Sequence, residues 1–366
     1  MWKAPRAIPL GLTVMAMLLV CRPAAAQLKL EHVISPDRCV TFRVEAPNAS
    51  SVKVVSLSDP AAMGAAEYEL ERGDDGVWSG TTLPCRPGFH YYELDVDGFR
   101  CPDPNSPKYF GWRKWSSAVE VPDPDLDFYL PKEVPHGDVH MHWYRSESTE
   151  RWRKCLVYTP PDYGESPEKR YPVLYLQHGA GESELAWTMQ GKANFILDNL
   201  IAAGRARPMI VVMDNGYANF ARRNLFHLVV IEELIPEIDR EFRTIADREH
   251  RAIAGLSMGG GQALEIGVGN LEYFTWIGAF SSPVRNVNVE RSFGGELQDA
   301  QEFNRRTNLL WLGCGKLDHV YEEAENLHML LDTYGLVHTW HESEGSHEWQ
   351  VWREHLHLFA QELFQE

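Results

Sequence analysis

Arg251-Ala-Ile-Ala254-Gly255-Leu256-Ser257-Met258-Gly259-Gly260-Gly261 is the stretch on which the fold turns. Its apolar opening reads as a buried strand, and its end reads as the start of a helix running to about residue 268. A serine held between glycines at that junction fits the G-x-S-x-G elbow, where the chain bends too sharply for neighbouring Cβ atoms. The elbow lifts Ser257 Oγ clear of the C-terminal edge of a sheet. The helix N-terminus behind it favours developing negative charge. This stretch predicts a nucleophilic serine on an α/β scaffold.

Working outward, further apolar runs at 172–177, 208–213, 275–279 and 308–313 read as buried parallel strands. Segments 195–203 and 229–242 between them carry helical spacing. Strand–helix alternation over more than half of the chain predicts a doubly wound sheet covered on both faces.

A serine hydroxyl needs a base, and this fold fixes the chain order as Ser, then Asp or Glu, then His. Among the 15 histidines, His347 stands in Glu344-Gly-Ser-His-Glu-Trp349, a loop between the strand-like 337–341 and a helix at 349–364. That is the position for a catalytic imidazole. The preceding strand runs into Cys314-Gly-Lys-Leu-Asp318, which makes Asp318 the acid that orients the ring. Asp332, Glu322 and Glu323 are the rivals. An oxyanion hole needs two backbone N–H groups. Met258, after the nucleophile, supplies one. Ala180 in Gln177-His-Gly-Ala-Gly181 supplies the other, with Gly181 next in line. His178 reads as a packing residue that shapes this loop.

The first third of the chain has a different period. Runs such as Cys39-Val-Thr-Phe-Arg-Val-Glu45, Ser51-Val-Lys-Val-Val-Ser56 and Tyr91-Tyr-Glu-Leu-Asp-Val96 alternate and are cut by Asp-Gly and Pro-Gly turns. Period two with frequent breaks predicts a small antiparallel β-sandwich. The expected organisation is an export signal at 1–26, a sandwich at 27–122 and an α/β domain at 123–366. Lys3 and Arg6, the short apolar run 8–20 and Ala24-Ala25-Ala26 carry the signal reading, which implies a secreted or periplasmic protein. Its removal leaves 32 basic against 52 acidic side chains, a formal charge of −20 in place of −17. Such a surface repels phosphate backbones and anionic headgroups, so nucleic-acid and membrane partners are excluded. Five cysteines remain without a C-x-x-C pair, which argues against structural zinc and leaves one bridge among Cys39, Cys85 and Cys101, or three thiols, equally open.

From about residue 131 the chain resembles carbohydrate esterase family 1, the feruloyl and acetylxylan esterases, and their enterochelin-esterase-like relatives. The matching stretches are Tyr175-Leu-Gln-His-Gly-Ala-Gly181, Ala193-Asn-Phe-Ile-Leu-Asp-Asn-Leu-Ile201, Gly255-Leu-Ser-Met-Gly-Gly260, Gly315-Lys-Leu-Asp318 and Ser346-His-Glu-Trp349. The resemblance implies an α/β-hydrolase fold, a Ser257–Asp318–His347 triad without metal or cofactor, and release of feruloyl or acetyl groups from plant xylan. The N-terminal part resembles the immunoglobulin-like early-set modules that precede such esterases, through Val40-Thr-Phe-Arg-Val-Glu-Ala-Pro47, Asp75-Gly-Val-Trp78 and Pro102-Asp-Pro-Asn105. Such a module either binds glycan, through Trp112 or Trp115, or docks beside the active site. The family often has two glycines after His-Gly-x, where this chain has Gly181-Glu182. Substrate contacts are expected from Gly181, Trp187 and Asn215, with Tyr217 and Phe220 as further aromatic candidates. A siderophore-type or other small-ester esterase, a peptidase on the same fold and a non-catalytic glycan-binding protein are the competing readings. A triad intact and in order argues against the last.

Overall fold

The computed structural model describes residues 32–220 and 223–365. The expected export signal at 1–26 lies outside the described residues. Among them, eight strands form the central sheet: β1 (Asp138–Ser146), β2 (Arg151–Thr159), β3 (Val173–Gln177), β4 (Ile210–Asp214), β5 (Arg251–Leu256), β6 (Trp276–Phe280), β7 (Leu309–Gly315) and β8 (Thr339–Ser343). Their spatial order is β1-β2-β4-β3-β5-β6-β7-β8. From β4 to β8 every pairing is parallel, whereas β1 and β2 run antiparallel at one edge. The apolar runs expected as parallel strands are parallel, and the antiparallel edge adds two strands that no apolar run announced. Residues of β1 are largely exposed, and charges interrupt the apolar alternation of both strands, so neither resembles a buried parallel run.

Alternate residues of the central strands feed opposite faces. Val173 and Tyr175 pack with Ile210, Val212, Ile253 and Ile277 on one side; Leu174 and Leu176 pack with Val211, Met213, Ala252 and Ala254 on the other. Helices α1 (Ala193–Ala202), α2 (Met258–Val268), α3 (Tyr321–Thr333) and α4 (Trp349–Glu362) cover the two faces. Ile196 and Leu197 of α1 and the stripe Trp349, Trp352, Leu356, Phe359, Ala360 of α4 cover the side of Leu174 and Leu176. Ala263 and Leu264 of α2 and Leu327 and Leu331 of α3 cover the other.

The N-terminal residues form antiparallel sheets. One has Val33–Ile34, Val40–Glu45, Val77–Thr81 and Glu71–Arg72 in spatial order, and the larger is centred on Gly88–Val96 and Lys114–Val121. Val40, Phe42, Val44 and Trp78 of the first meet Val52, Val54, Tyr92, Leu94, Val119 and Val121 of the second in one core. The opposite face of the larger sheet is not solvent-exposed. Phe89, Tyr91 and Ala118 pack into the same cluster as Trp187, Trp349 and Trp352. Cys39, Cys85, Cys101, Cys155 and Cys314 are all free thiols. Among the described residues no helix is long and apolar enough to cross a membrane.

Candidate active site

The loops at the carboxyl ends of β3, β5, β7 and β8 converge on one point, because the register aligns Gln177 with Gly255, Leu256 with Phe280 and Gly315 with Ser343. Ser257 leaves β5 at φ 51° and ψ −118°, a backbone that a non-glycine residue adopts only under strain. Its N–H donates to Phe280 O at 2.8 Å, and its carbonyl accepts from Gly261 N–H at 3.0 Å, fixing the turn from both sides. Glycine is required around it. A Cβ on Gly255 would stand 2.5 Å from Gly259 C, and one on Gly259 would stand 2.5 Å from His178 O.

His347 Nε2 lies 3.0 Å from Ser257 Oγ, and His347 Nδ1 lies 2.9 Å from each carboxylate oxygen of Asp318. With Nδ1–H donating to Asp318, Nε2 is left to accept the serine proton. The Asp318 side chain is fully buried. Burial alone would raise its carboxyl, but the bond and charge of His347 and the Val320 N–H outweigh it and hold the group below the ordinary range. Trp352 meets the imidazole edge-on at 4.9 Å and confines its rotation. Of the rival acids, Asp332, Glu322 and Glu323 all lie on α3. Asp332 faces His328 and His338, and Glu323 pairs with Arg285.

Around the elbow, the loop 178–182 has most of its polar groups engaged. His178 Nδ1–H donates to Gly179 O, its Nε2 accepts from Gly216 N–H at 3.0 Å, and burial depresses the ring to about 4. Gly179 N–H donates to Glu182 Oε2 at 2.9 Å. Gly181, at φ +85°, donates to Tyr217 Oη at 2.5 Å and accepts from Arg113 N–H at 2.7 Å. Among the described residues no acceptor meets the N–H of Ala180 or of Met258. Ala180 lines the cavity that contains Ser257, whereas Gly181 faces a neighbouring one.

The cavity that contains Ser257 measures about 620 Å³. Ser257, His347 and Ala180 share it with Phe89, Tyr91, Trp112, Trp349 and Trp352. Three of these aromatic residues come from the N-terminal sheets, and Phe89 and Tyr91 were not readable as site residues. Their alternation marks one face of a strand, but nothing local says what that face meets. Trp187 corrects an expectation. It is 1% exposed, donates Nε1–H to Gln177 O at 2.8 Å and packs edge-on against Trp349, so it supports the site from inside the core. Asn215 lines the neighbouring cavity, with its side chain spent on Glu184 and Tyr217 N–H. The Phe220 side chain lies outside the described residues.

Glu182 is the other feature that local sequence did not explain. It stands where a second glycine was expected, is 7% exposed, and burial pushes its carboxyl up to about 8. Among the described residues, two side-chain clusters hold donors close enough for a metal, Asp318–His319–His347 and His328–Asp332–His338. In the first, His347 and Asp318 are committed to each other and to Ser257.

The family model for Esterase matches residues 146–361. Over 350 residues, 91% of this chain, the sequence is 39% identical to the endo-1,4-beta-xylanase/feruloyl esterase of Xylanibacter ruminicola and spans 46% of that protein. It is 30% identical over 214 residues to Esterase Rv1288 of Mycobacterium tuberculosis, covering 54% of this chain and 44% of that one. The chain thus spans about half the length of these curated relatives. The CE1 ferulic acid esterase of Anaeromyces mucronatus in complex with ferulic acid matches with a TM-score of 0.58 at 26% identity, over 66% of this chain and 96% of that one. The enterobactin esterase of Shigella flexneri matches with a TM-score of 0.67 over 92% of this chain and 96% of its own. At 17% identity it speaks to the α/β-hydrolase-like fold alone. A family match that runs through β2 to α4, more than half of the sequence, decides membership: the chain belongs to the Esterase family.

Proposed function

We propose that the chain releases feruloyl, or else acetyl, groups from plant xylan through an acyl-enzyme formed on Ser257. The observation that carries the acyl choice is the 39% identity to a protein named as a xylanase/feruloyl esterase, extending over both the N-terminal sheets and the catalytic ones. A cavity walled by Phe89, Tyr91, Trp112 and Trp352 suits a flat aromatic acyl group. In this reading His347 takes the Ser257 proton as Oγ attacks the ester carbonyl, while Asp318 stabilises the imidazolium. Met258 and Ala180 N–H groups hold the oxyanion. His347 returns its proton to the departing sugar oxygen, and water activated by the same ring frees the acid.

The N-terminal sheets belong in this account as an immunoglobulin-like early-set module that docks on the catalytic domain. Support for docking comes from Phe89, Tyr91 and Trp112 in the cavity wall. The segment 1–26 serves as an export signal, since a polysaccharide substrate lies outside the cell. Hydrolysis of methyl ferulate and release of ferulate from arabinoxylan, measured beside a catecholate triester, tests the acyl choice. Ferulate release is expected. Turnover of the triester alone would replace xylan with a siderophore-type substrate.

A further inference from the structure

A second cavity of about 690 Å³ lies across the 178–182 loop from the catalytic one. The partition is sharp in sequence. Gly179 and Ala180 line the catalytic cavity, Gly181 lines the second, and Glu182 lines both. On the facing turn, Trp112 borders the first and Arg113 the second. The proposed reaction uses none of the second cavity's other walls, which come from Phe110, β1, β2, Glu184 and the 215–219 loop.

Two tryptophans stand out on those walls. Trp143 is 53% exposed and Trp152 is 66% exposed, an unusual cost for rings of that size in water. The register pairs Trp143 with Lys154 and Arg145 with Trp152, so both rings project from one face of the β1–β2 edge. Polar groups are interleaved with them. Lys154 Nζ sits 5.9 Å from the Trp143 ring centre and 2.8 Å from Glu184. Arg153 is spent on buried Asp214 at 2.8 Å. Arg113 and Arg151 also line the cavity, and among the described residues neither side chain has an anionic partner. Glu182 adds little negative charge near neutral pH, because burial keeps it protonated up to about 8. A chain of net charge −17 therefore holds a locally cationic, aromatic cavity beside its active site.

We propose that this cavity is a glycan subsite that takes a sugar residue bearing a carboxylate, on the same polysaccharide whose ester occupies the catalytic cavity. Pyranose C–H faces stack on Trp143 and Trp152, and the carboxylate faces Arg113 and Arg151. A second copy of the chain fits this surface poorly, because an isologous contact would set the same cations against each other. The subsite acts by avidity, since a polymer held at one point presents its ester at high local concentration. The inference rests on the polysaccharide reading of the catalytic site.

The test uses the full chain carrying Ser257→Ala, so that bound substrate persists, and xylo-oligosaccharides with and without a uronic acid branch. The branched oligosaccharide is expected to bind more tightly. Trp143→Ala with Trp152→Ala should weaken it by about tenfold or more, and Arg151→Gln should erase the preference for the branched form. In the Ser257 enzyme, the same substitutions should lower release from polymer while leaving methyl ferulate turnover unchanged. Unaltered oligosaccharide binding in the double tryptophan variant would overturn the subsite, as would equal affinity for both oligosaccharides. A change in sedimentation of that variant would overturn it too, by making the surface a subunit contact. If the parent hydrolyses no feruloyl ester yet binds the branched oligosaccharide through these residues, the acyl reading fails and the subsite stands.

Discussion

Asp318 illustrates how much one buried oxygen pair decides. It accepts from His347 Nδ1–H on both carboxylate oxygens, which fixes the tautomer that leaves Nε2 free toward Ser257. Asp318→Asn offers an amide in the same space and allows the opposite tautomer. The expected outcome is a fall in kcat by about four orders of magnitude with the fold retained, read from ester turnover beside circular dichroism. Glu182 makes a different prediction. Between about pH 4.5 and pH 8 the unfolded chain has released this proton and the folded chain keeps it, so stability declines as pH rises through that window. Glutamine keeps an acceptor for Gly179 N–H and removes the titration. Urea denaturation at pH 5, 7 and 9 should therefore show Glu182→Gln gaining on the parent by up to about 1.4 kcal/mol per pH unit. A constant difference across the series would contradict the buried, protonated carboxyl. That Ser257, Asp318 and His347 meet was legible in the sequence because each follows a strand in a fixed chain order. Glu182 was legible only as a departure, since burial depends on neighbours from Phe89 to Trp349 that are distant in sequence.

At the scale of elements, the strand–elbow–helix unit leaves no room for side chains at its glycines. A methyl group at Gly259 would press on His178 O at 2.5 Å and Gln177 O at 2.6 Å, both of them backbone atoms. Gly259→Ala should cost about 1–3 kcal/mol or more and reduce activity further than its stability loss explains, because β3 and the 178–182 loop beside Ser257 must shift together. A melting curve and kcat measured below the transition check both parts. Buried parallel strands such as Val173–Gln177 and Ile210–Asp214 announced themselves as apolar runs, and α4 did so through its apolar spacing. Strands β1 and β2 did not, since their partly exposed edge carries His, Arg and Lys among the apolar residues. Trp187 fell on the correct loop but the wrong side. Position after a strand does not say whether a ring turns toward solvent or core.

Across the whole molecule, the N-terminal sheets and the catalytic sheet are joined through buried polar contacts as well as apolar ones. Arg353 is fully buried on α4, pairs bidentately with Glu120 at 2.7 and 2.9 Å, donates to Gln190 O and lies over Tyr129. Gln190 in turn donates to Tyr91 Oη and Phe110 O. Composition and period separated the two regions, but a contact between residues 120 and 353 has no local trace. Arg353→Ala should lower stability by about 3 kcal/mol or more, since it strands Glu120 and opens a void beneath Tyr129. Guanidinium unfolding followed by tryptophan fluorescence measures it. The account as a whole stands on Ser257 being a nucleophile activated by His347. Labelling with a fluorophosphonate, followed by peptide mass analysis, tests that directly. A single adduct on the peptide containing Ser257, lost in both Ser257→Ala and His347→Ala, is the predicted result. An adduct on another serine, or undiminished ester turnover by Ser257→Ala, would contradict it.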